Sequence, residues 1–342
     1  MAAADGRRLA PLHSLTAWVL TDGKAGDEGQ CLGVTEALGL SPQIRRVAPR
    51  APFFWLMPWG PIDPRDAPER PSSPIAPPFP DLLVASGRRA VPYVRAVKRA
   101  SKERTFTVFL KDPRTGAGIA DLIWAPEYDA IRGPNVFKTL TSPHRVSAER
   151  IAAARADPDP RLAALPHPRA AVLAGGHSRH LRYTDGDIRR FIAQLTDLAR
   201  SGASLMATAS RRTPPVLRDA LVRLTAQHGG FFWDGTGENP YVALLALADA
   251  VVVTADSANM VGEAAATGAP VLLFELPQAY AKHRSFFAVL ERHGAVKPFT
   301  GRLEAYAYEP LDSTPAIAQA VAAGLARHRR ALGLTEADRP AV

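Results

Sequence analysis

Cysteine is almost absent from this chain. Cys31 is the only one among 342 residues, so no intrachain disulfide and no thiolate metal cluster can form, which fits a reducing compartment. The nine histidines include no H-E-x-x-H and no His/Asp/Cys set at ligand spacing, so no metal site is expected. A Walker A loop and a clean G-x-G-x-x-G are also missing. Their absence argues against a P-loop NTPase and an ordinary dinucleotide dehydrogenase, and no cofactor is expected. No window approaches ~18 continuous apolar residues, so no transmembrane helix is expected. The opening MAAADGRRLAPLHSLTAWVL lacks the apolar core and cleavage site of a secretory signal. The basic residues form no nucleic-acid motif and do not interleave with aromatics, so no specific nucleic-acid partner is expected.

What is present is basic and proline-rich. Lys and Arg number 42 against 33 Asp and Glu, a net charge of +9, which favours anionic partners such as nucleotides or anionic lipid headgroups. An Arg- and Ala-rich composition alone produces the same surface. The 46% hydrophobic and 22% charged fractions are those of a soluble globular protein. The expected location is the cytoplasm, with the inner face of the membrane as a further contact surface. The length favours two domains. Prolines concentrate in 49–80, read as an irregular insertion. Its apolar cluster FFWLMPWG (Phe53–Gly60) is expected to bury against the first domain; left exposed, it would meet lipid.

Short apolar runs alternate with helical patterns. Strands are expected at AWVLTD, QIRRVA, PDLLVASG, TFTVFLKDP, ADLIWAPE and NVFKTLTS. A second set follows at AAVLAGG, ASLMATAS, GFFWDG, AVVVTAD and PVLLFEL. Continuous apolar strands between helices indicate parallel sheets covered on both faces. The expected fold is α/β, with two Rossmann-like domains whose parallel sheets face across a cleft. The first spans 1–155, a Pro/Asp-rich linker 156–169, and the second domain 170–302. A helical tail, 303–342, is expected to pack back on the first domain.

Several strands end in turns of glycine, hydroxyl and basic residues. TDGKAGDEGQ places Asp22, Gly23, Lys24 and Gly26 after the first strand. ASGRR places Ser86 and Gly87 after the third. AGGHSRH supplies Gly175, Gly176, His177 and Ser178. ATASRRTP supplies Ser210, Arg211 and Arg212, and TADSANM supplies Asp256, Ser257, Asn259 and Met260. Backbone amides at helix N-termini, glycines, hydroxyls and guanidinium groups together make anion sites. Each such turn is also ordinary in a parallel α/β protein. Glu263 follows about one helical turn later, where it can accept hydrogen bonds from vicinal sugar hydroxyls or simply favour the helix N-terminus. Asp22 is a candidate general base or a cap, and His177 a candidate acid toward a departing diphosphate or a solvated loop residue. Glu127 and Asp129 flank Tyr128 at another strand end, where they orient a sugar acceptor or cap the loop.

The Ser-containing turn, Glu263 and A-T-G-A-P-V resemble the nucleotide-sugar half of GT-B glycosyltransferases, where such a turn meets the diphosphate and the Glu holds the ribose. More of the chain, about Thr16–Arg302, resembles the mitochondrial-fission "elongated mitochondria" family. The resemblance rests on T-D-G-K-A-G-D-E-G-Q, S-G-R-R, A-P-E-Y-D, A-G-G, S-R-R-T-P and T-A-D-S-A-N-M-V-G-E. Tyr128 stands where that family commonly has His. The resemblance implies a metal-independent, glycosyltransferase-like protein binding a UDP-type nucleotide sugar and an acceptor. Plant members imply an alternative, an adaptor that recruits a dynamin-related GTPase. A nucleotide-sugar epimerase is a further alternative, with catalytic carboxylates such as Glu127 or Asp129.

Overall fold

The computed structural model describes residues 14–178, 181–277 and 281–334. Its contacts group into two compact units. One holds the residues up to Arg145 and from Ser313 onward, and the other holds Val146–Asp312.

The first unit runs β1 (Ala17–Thr21), α1 (Ala25–Ala37), β2 (Gln43–Arg46), α2 (Phe53–Leu56), β3 (Leu82–Ser86), α3 (Val91–Ala100), β4 (Phe106–Leu110), β5 (Leu122–Pro126) and β6 (Val136–Thr139). All six strands are parallel, in the order β2-β1-β3-β4-β5-β6. Every residue of β1, β3, β4 and β5 is buried, which is why these strands read as unbroken apolar runs. The QIRR strand at the sheet edge has no buried residue.

One face of this sheet packs on α1 and on α11 (Thr314–Ala331), whose Ile317, Val321 and Leu325 join the same core as Val19, Val84 and Trp124. Gly324 allows α11 to lie close: a Cβ there would stand 2.7 Å from the Phe106 ring. Arg329 adds a 2.5 Å ion pair to Asp81. The other face packs on α3 and on parts of the proline-rich insertion, with Met57 and Ile75 fully buried.

That insertion departs from the expectation of burial. Met57 is inside, but Trp55, Leu56 and Trp59 are 69%, 49% and 67% exposed. The short α2 and the bend after it seat Met57 in the core and leave its neighbours on the outer side. Helix α1 also differs: it begins at Ala25, so Gly26 lies in its first turn and not in a glycine loop.

The second unit runs α4 (Ala148–Ala156), α5 (Pro160–Ala163), β7 (Arg169–Ala174), α6 (Asp185–Arg200), β8 (Ser204–Ala209), α7 (Pro215–Gln227), β9 (Phe231–Trp233), α8 (Tyr241–Ala246), β10 (Ala250–Thr254), α9 (Ala258–Ala265), β11 (Val271–Phe274), α10 (Ala281–Arg292) and β12 (Val296–Pro298). Residues 156–169 lie within this unit. Its strands are parallel in the order β12-β11-β10-β7-β8-β9. Helix α6 starts on a complete capping box, Thr184 with Asp187. No helix among the described residues is long and apolar enough to cross a membrane.

The two strand orders place two topological switch points. In open parallel sheets, ligands bind beyond the C-terminal strand ends where the order reverses. The first unit reverses between β1 and β3, and the second between β7 and β10.

Candidate functional site

The expected turns fall on these points. Asp22–Lys24 ends β1 and Ser86–Gly87 ends β3. Gly175–Ser178 ends β7 and Asp256–Met260 follows β10. Ser210–Arg212 ends β8, next to β7. The Glu127–Asp129 loop ends β5, two strands from β3, and is not brought to the switch point. Burial, with the Asp129 charge, raises the Tyr128 hydroxyl to about 12.

The β7 turn spends its amides inside the protein. Gly175 N–H donates to Thr254 Oγ1 (2.8 Å) and Gly176 N–H to Asp256 Oδ2 (2.9 Å). His177 N–H donates to the Arg212 carbonyl (3.0 Å) and Ser178 N–H to that of Leu181 (2.9 Å). The space above the glycines is equally occupied. A Cβ on Gly175 would lie 2.0 Å from Asp256 Oδ2, and one on Gly176 would lie 2.1 Å from the Arg212 carbonyl carbon. Both glycines therefore serve close packing between strand ends.

Asp256 is the hub of this packing. It is 7% exposed, and its Oδ1 accepts from the Tyr183 hydroxyl (2.8 Å) and Thr254 Oγ1 (2.7 Å). Burial and the Asp256 charge hold the Tyr183 hydroxyl protonated far above its ordinary range. His177 Nδ1 accepts from the Tyr183 amide (3.2 Å), so the neutral ring carries its proton on Nε2. Thr213 Oγ1 donates to the Gly175 carbonyl at 2.5 Å, tying the β8 turn to the β7 turn. Ser210 Oγ accepts from Arg212 N–H (3.2 Å). The side chains of Arg211 and Arg212 are exposed, and no carboxylate pairs with either among the described residues. Arg179 and His180 of the same motif lie outside the described residues.

The β10 turn is the open one. Ser257 caps α9 by accepting from Met260 N–H (3.4 Å). The amides of Ser257 and Ala258 meet no acceptor among the described residues, as is usual of a helix N-terminus awaiting water or an anion. Ser257, Asn259 and Met260 are half-buried. Glu263, also half-buried, lies on α9 with Oε2 accepting from the Tyr241 hydroxyl at 2.5 Å. Burial raises the Glu263 carboxyl to about 7, against the lowering effect of that hydrogen bond. Burial and the Glu263 charge push the Tyr241 hydroxyl well up in turn.

Beside this turn a cavity of about 420 Å³ is lined by Asp187, Arg190, Ala255, Glu275, Arg284 and Phe287, among others. Arg190 donates to the Glu275 carbonyl (2.7 Å) and lies 4.2 Å over the Phe274 ring. Burial, with the Glu275 charge, raises the nearby Glu291 carboxyl.

The first unit's switch point is filled with charge pairs. Lys24 Nζ lies 2.7 Å from Asp22 Oδ2, and Asp22's side chain is only 1% exposed beneath it. Asp22 Oδ1 is buried without a hydrogen-bond partner. Asp27, in the first turn of α1, binds Lys111 at 2.6 Å and accepts from Ser86 Oγ at 3.3 Å. Lys111 does so from a left-handed backbone (φ 79°), a conformation costly for a non-glycine residue. Glu28 takes Arg46 in a bidentate pair at 2.8 and 2.9 Å, which lowers its carboxyl below the usual range. Gly87 lies between the two aspartates: a Cβ there would stand 3.3 Å from Asp22 Oδ1 and 3.5 Å from Asp27 Oδ2. No cluster of three or more metal-ligating side chains occurs among the described residues.

Sequence reasoning missed Asp27, Lys111, Tyr183 and Tyr241. A lysine closing an apolar strand, FLKDP, carried the same signal used at the other strand ends. The tyrosines reach their carboxylates across 73 and 22 residues, and no local pattern marks such contacts.

Solved structures define the class. The chain matches the Methanocaldococcus jannaschii UDP-GlcNAc 2-epimerase with TM-score 0.51 and 10% identity, covering 90% of this chain and 98% of that one. It matches the S. aureus MnaA–UDP structure with TM-score 0.52 and 12% identity, over 95% and 99%. The UDP-GlcNAc-bound Neisseria meningitidis 2-epimerase gives TM-score 0.50 and 12% identity, over 91% and 99%. The fold is thus α/β of the GT-B type, with two parallel six-stranded sheets.

Within that class, the chain belongs to the mitochondrial fission ELM1 family, whose model matches residues 25–325. It is 26% identical to the Arabidopsis thaliana mitochondrial fission protein ELM1 over 262 residues, 69% of this chain and 61% of that protein. It is 27% identical to the Rickettsia prowazekii protein RP120 over 161 residues, 44% and 45% of the two chains. Both matches span less than two thirds of the relative's length.

Proposed function

We propose that the second unit binds a nucleoside diphosphate sugar. The diphosphate meets the open N-terminal turn of α9 at Ser257–Ala258, and the ribose hydroxyls meet Glu263. The exposed Arg211 and Arg212 add cationic donors from the end of β8, two strands from β10, and the cavity lined by Arg190 and Glu275 takes the sugar. The observation that carries this reading is the pairing of open amides at Ser257 and Ala258 with a half-buried Glu263 further along the same helix. The solved S. aureus and Neisseria proteins of this fold hold UDP and UDP-GlcNAc, which supports a uridine nucleotide as the first ligand to test.

The reaction we assign is metal-independent glycosyl transfer. His177 Nε2–H serves as the donor toward the departing diphosphate, and helix dipole and guanidinium groups stabilise its charge.

A thermal-shift series of the full chain with UDP, UDP-GlcNAc and UDP-glucose tests the binding. Wild type should gain several degrees at saturating nucleotide, and Glu263→Ala should lose the gain. No shift with any nucleotide overturns the reading. An equal shift in the variant removes Glu263 from the ribose. A second reading, an adaptor on the same scaffold, is favoured by one observation, the exposed Trp55–Trp59 segment. Deleting the insertion does not test it, because Met57 and Ile75 are core residues; surface substitutions do.

A further inference from the structure

We propose that Trp55, Leu56 and Trp59 form a docking face for a bilayer carrying anionic headgroups. The chain has five tryptophans, and the two most exposed large hydrophobics are Trp55 and Trp59, at 69% and 67%. They stand within one bend of chain that also bares Leu56.

The bend is built and fixed. Trp59 and Gly60 both donate their amides to the Leu56 carbonyl (3.0 and 2.8 Å). A Cβ on Gly60 would lie 2.5 Å from Leu56 Cβ, so only glycine lets the chain return this tightly. Met57 anchors the bend in the core. Arg95 clamps it from below, donating to the carbonyls of Pro58, Trp59 and Gly60 at 3.0, 3.4 and 3.3 Å. The protein thus holds three large apolar side chains outward on a rigid support, where each loses hydrophobic stabilisation that burial would give.

Charge selects the occupant. The Arg89 guanidinium lies 4.3 Å over the Phe54 ring of the same short helix. Neither Arg89 nor Arg95 meets a carboxylate among the described residues. Of the two nearest carboxylates along the chain, Asp63 is paired with Arg50 at 2.8 Å, and Asp66 keeps its charge while accepting from the neutral Tyr93 hydroxyl at 2.5 Å, with no ion pair to either arginine of this face. The face therefore combines amphipathic indoles with two guanidinium groups that have no carboxylate partner among the described residues, on a chain of net charge +9. Indole rings favour the headgroup level of a bilayer, and guanidinium groups beside them favour anionic lipid. This inference does not depend on the nucleotide reading.

The test is co-sedimentation of the full protein with phosphatidylcholine vesicles, with and without about 30% phosphatidylglycerol. Wild type should sediment with the anionic vesicles, weakly with the neutral ones, and less as salt rises. The Trp55→Ala/Trp59→Ala double variant should bind on the order of tenfold more weakly, with its unfolding temperature within about 2 °C of wild type. Wild type remaining in the supernatant with anionic vesicles overturns the proposal and leaves a protein partner for this face. So does a double variant that sediments like wild type, or equal binding to neutral vesicles.

Discussion

The two switch points carry the same vocabulary of turn residues and use it in opposite ways. At β1 and β3, each acid has a base: Asp22 with Lys24, Asp27 with Lys111, Glu28 with Arg46. At β7 and β10, the acid Asp256 is spent on hydroxyls and an amide, while Arg211 and Arg212 have no acid partner and α9 opens its first amides outward. At the first point every acid of the β1 turn and of the first turn of α1 is paired, and Arg89 of the β3 turn is left without a carboxylate among the described residues. The second keeps two exposed arginines without an acid partner among the described residues beside a helix N-terminus, groups suited to holding an anion. Similar turn residues therefore do not give similar sites. What differs is whether the neighbouring strand end supplies the counter-charge.

The largest expected effect breaks the comparison at its glycines. Gly176→Ala would place a Cβ 2.1 Å from backbone that cannot turn aside, so we expect a loss of about 3 kcal/mol or more in urea unfolding. Gly175→Ala should cost similarly through Asp256. Gly29, in α1 beside the first switch point, has nothing within 4 Å of its Cβ position.

Next is pH. Glu263 is raised from its ordinary 4.5 to about 7 in the fold, so the folded protein binds the extra proton between those values. Its contribution to stability is full below about pH 4.5, falls as pH rises toward 7 and is flat above. The fall should be roughly 2 kcal/mol for this half-buried group. Glu263→Gln should flatten that segment of the pH–stability curve, and an unchanged slope would assign it to another group.

A smaller effect separates the charge patterns. Arg211→Ala with Arg212→Ala should weaken UDP binding on the order of tenfold and reduce its salt dependence, read by calorimetry. Lys24→Ala, at the first switch point, should leave UDP affinity unchanged and cost no more than about 1 kcal/mol, since Lys24 is an exposed partner. The smallest effect is Gly29→Ala, which should stabilise α1 by about 0.5–1 kcal/mol.

Much of the fold was legible. The apolar runs AWVLT, LLVAS, FTVFL and LIWAP announced buried parallel strands because burial on both faces removes alternation. Two elements left no usable signal. Strand β12 is only Val296–Pro298, too short for any period. Helix α10 opens on AKHRSFF, whose pattern is neither alternating nor cleanly amphipathic. The insertion misled for a physical reason: FFWLMPWG is apolar throughout, and composition cannot say which residue a bend turns inward. Tertiary packing chose Met57 and left the tryptophans out.

At the candidate site, the sequence by itself determined which residue types stand at strand ends and that Glu263 lies on the helix after β10. Those features are local, fixed by strand length, cap chemistry and helical period. The tertiary structure decided everything that depends on neighbours distant along the chain. It closed the β7 glycine turn with Asp256, paired Glu263 with Tyr241, brought Lys111 to Asp27 and left the α9 amides open. Charge balance and burial arise from packing one strand end against another, and the strand order that brings those ends together is set by the whole sheet.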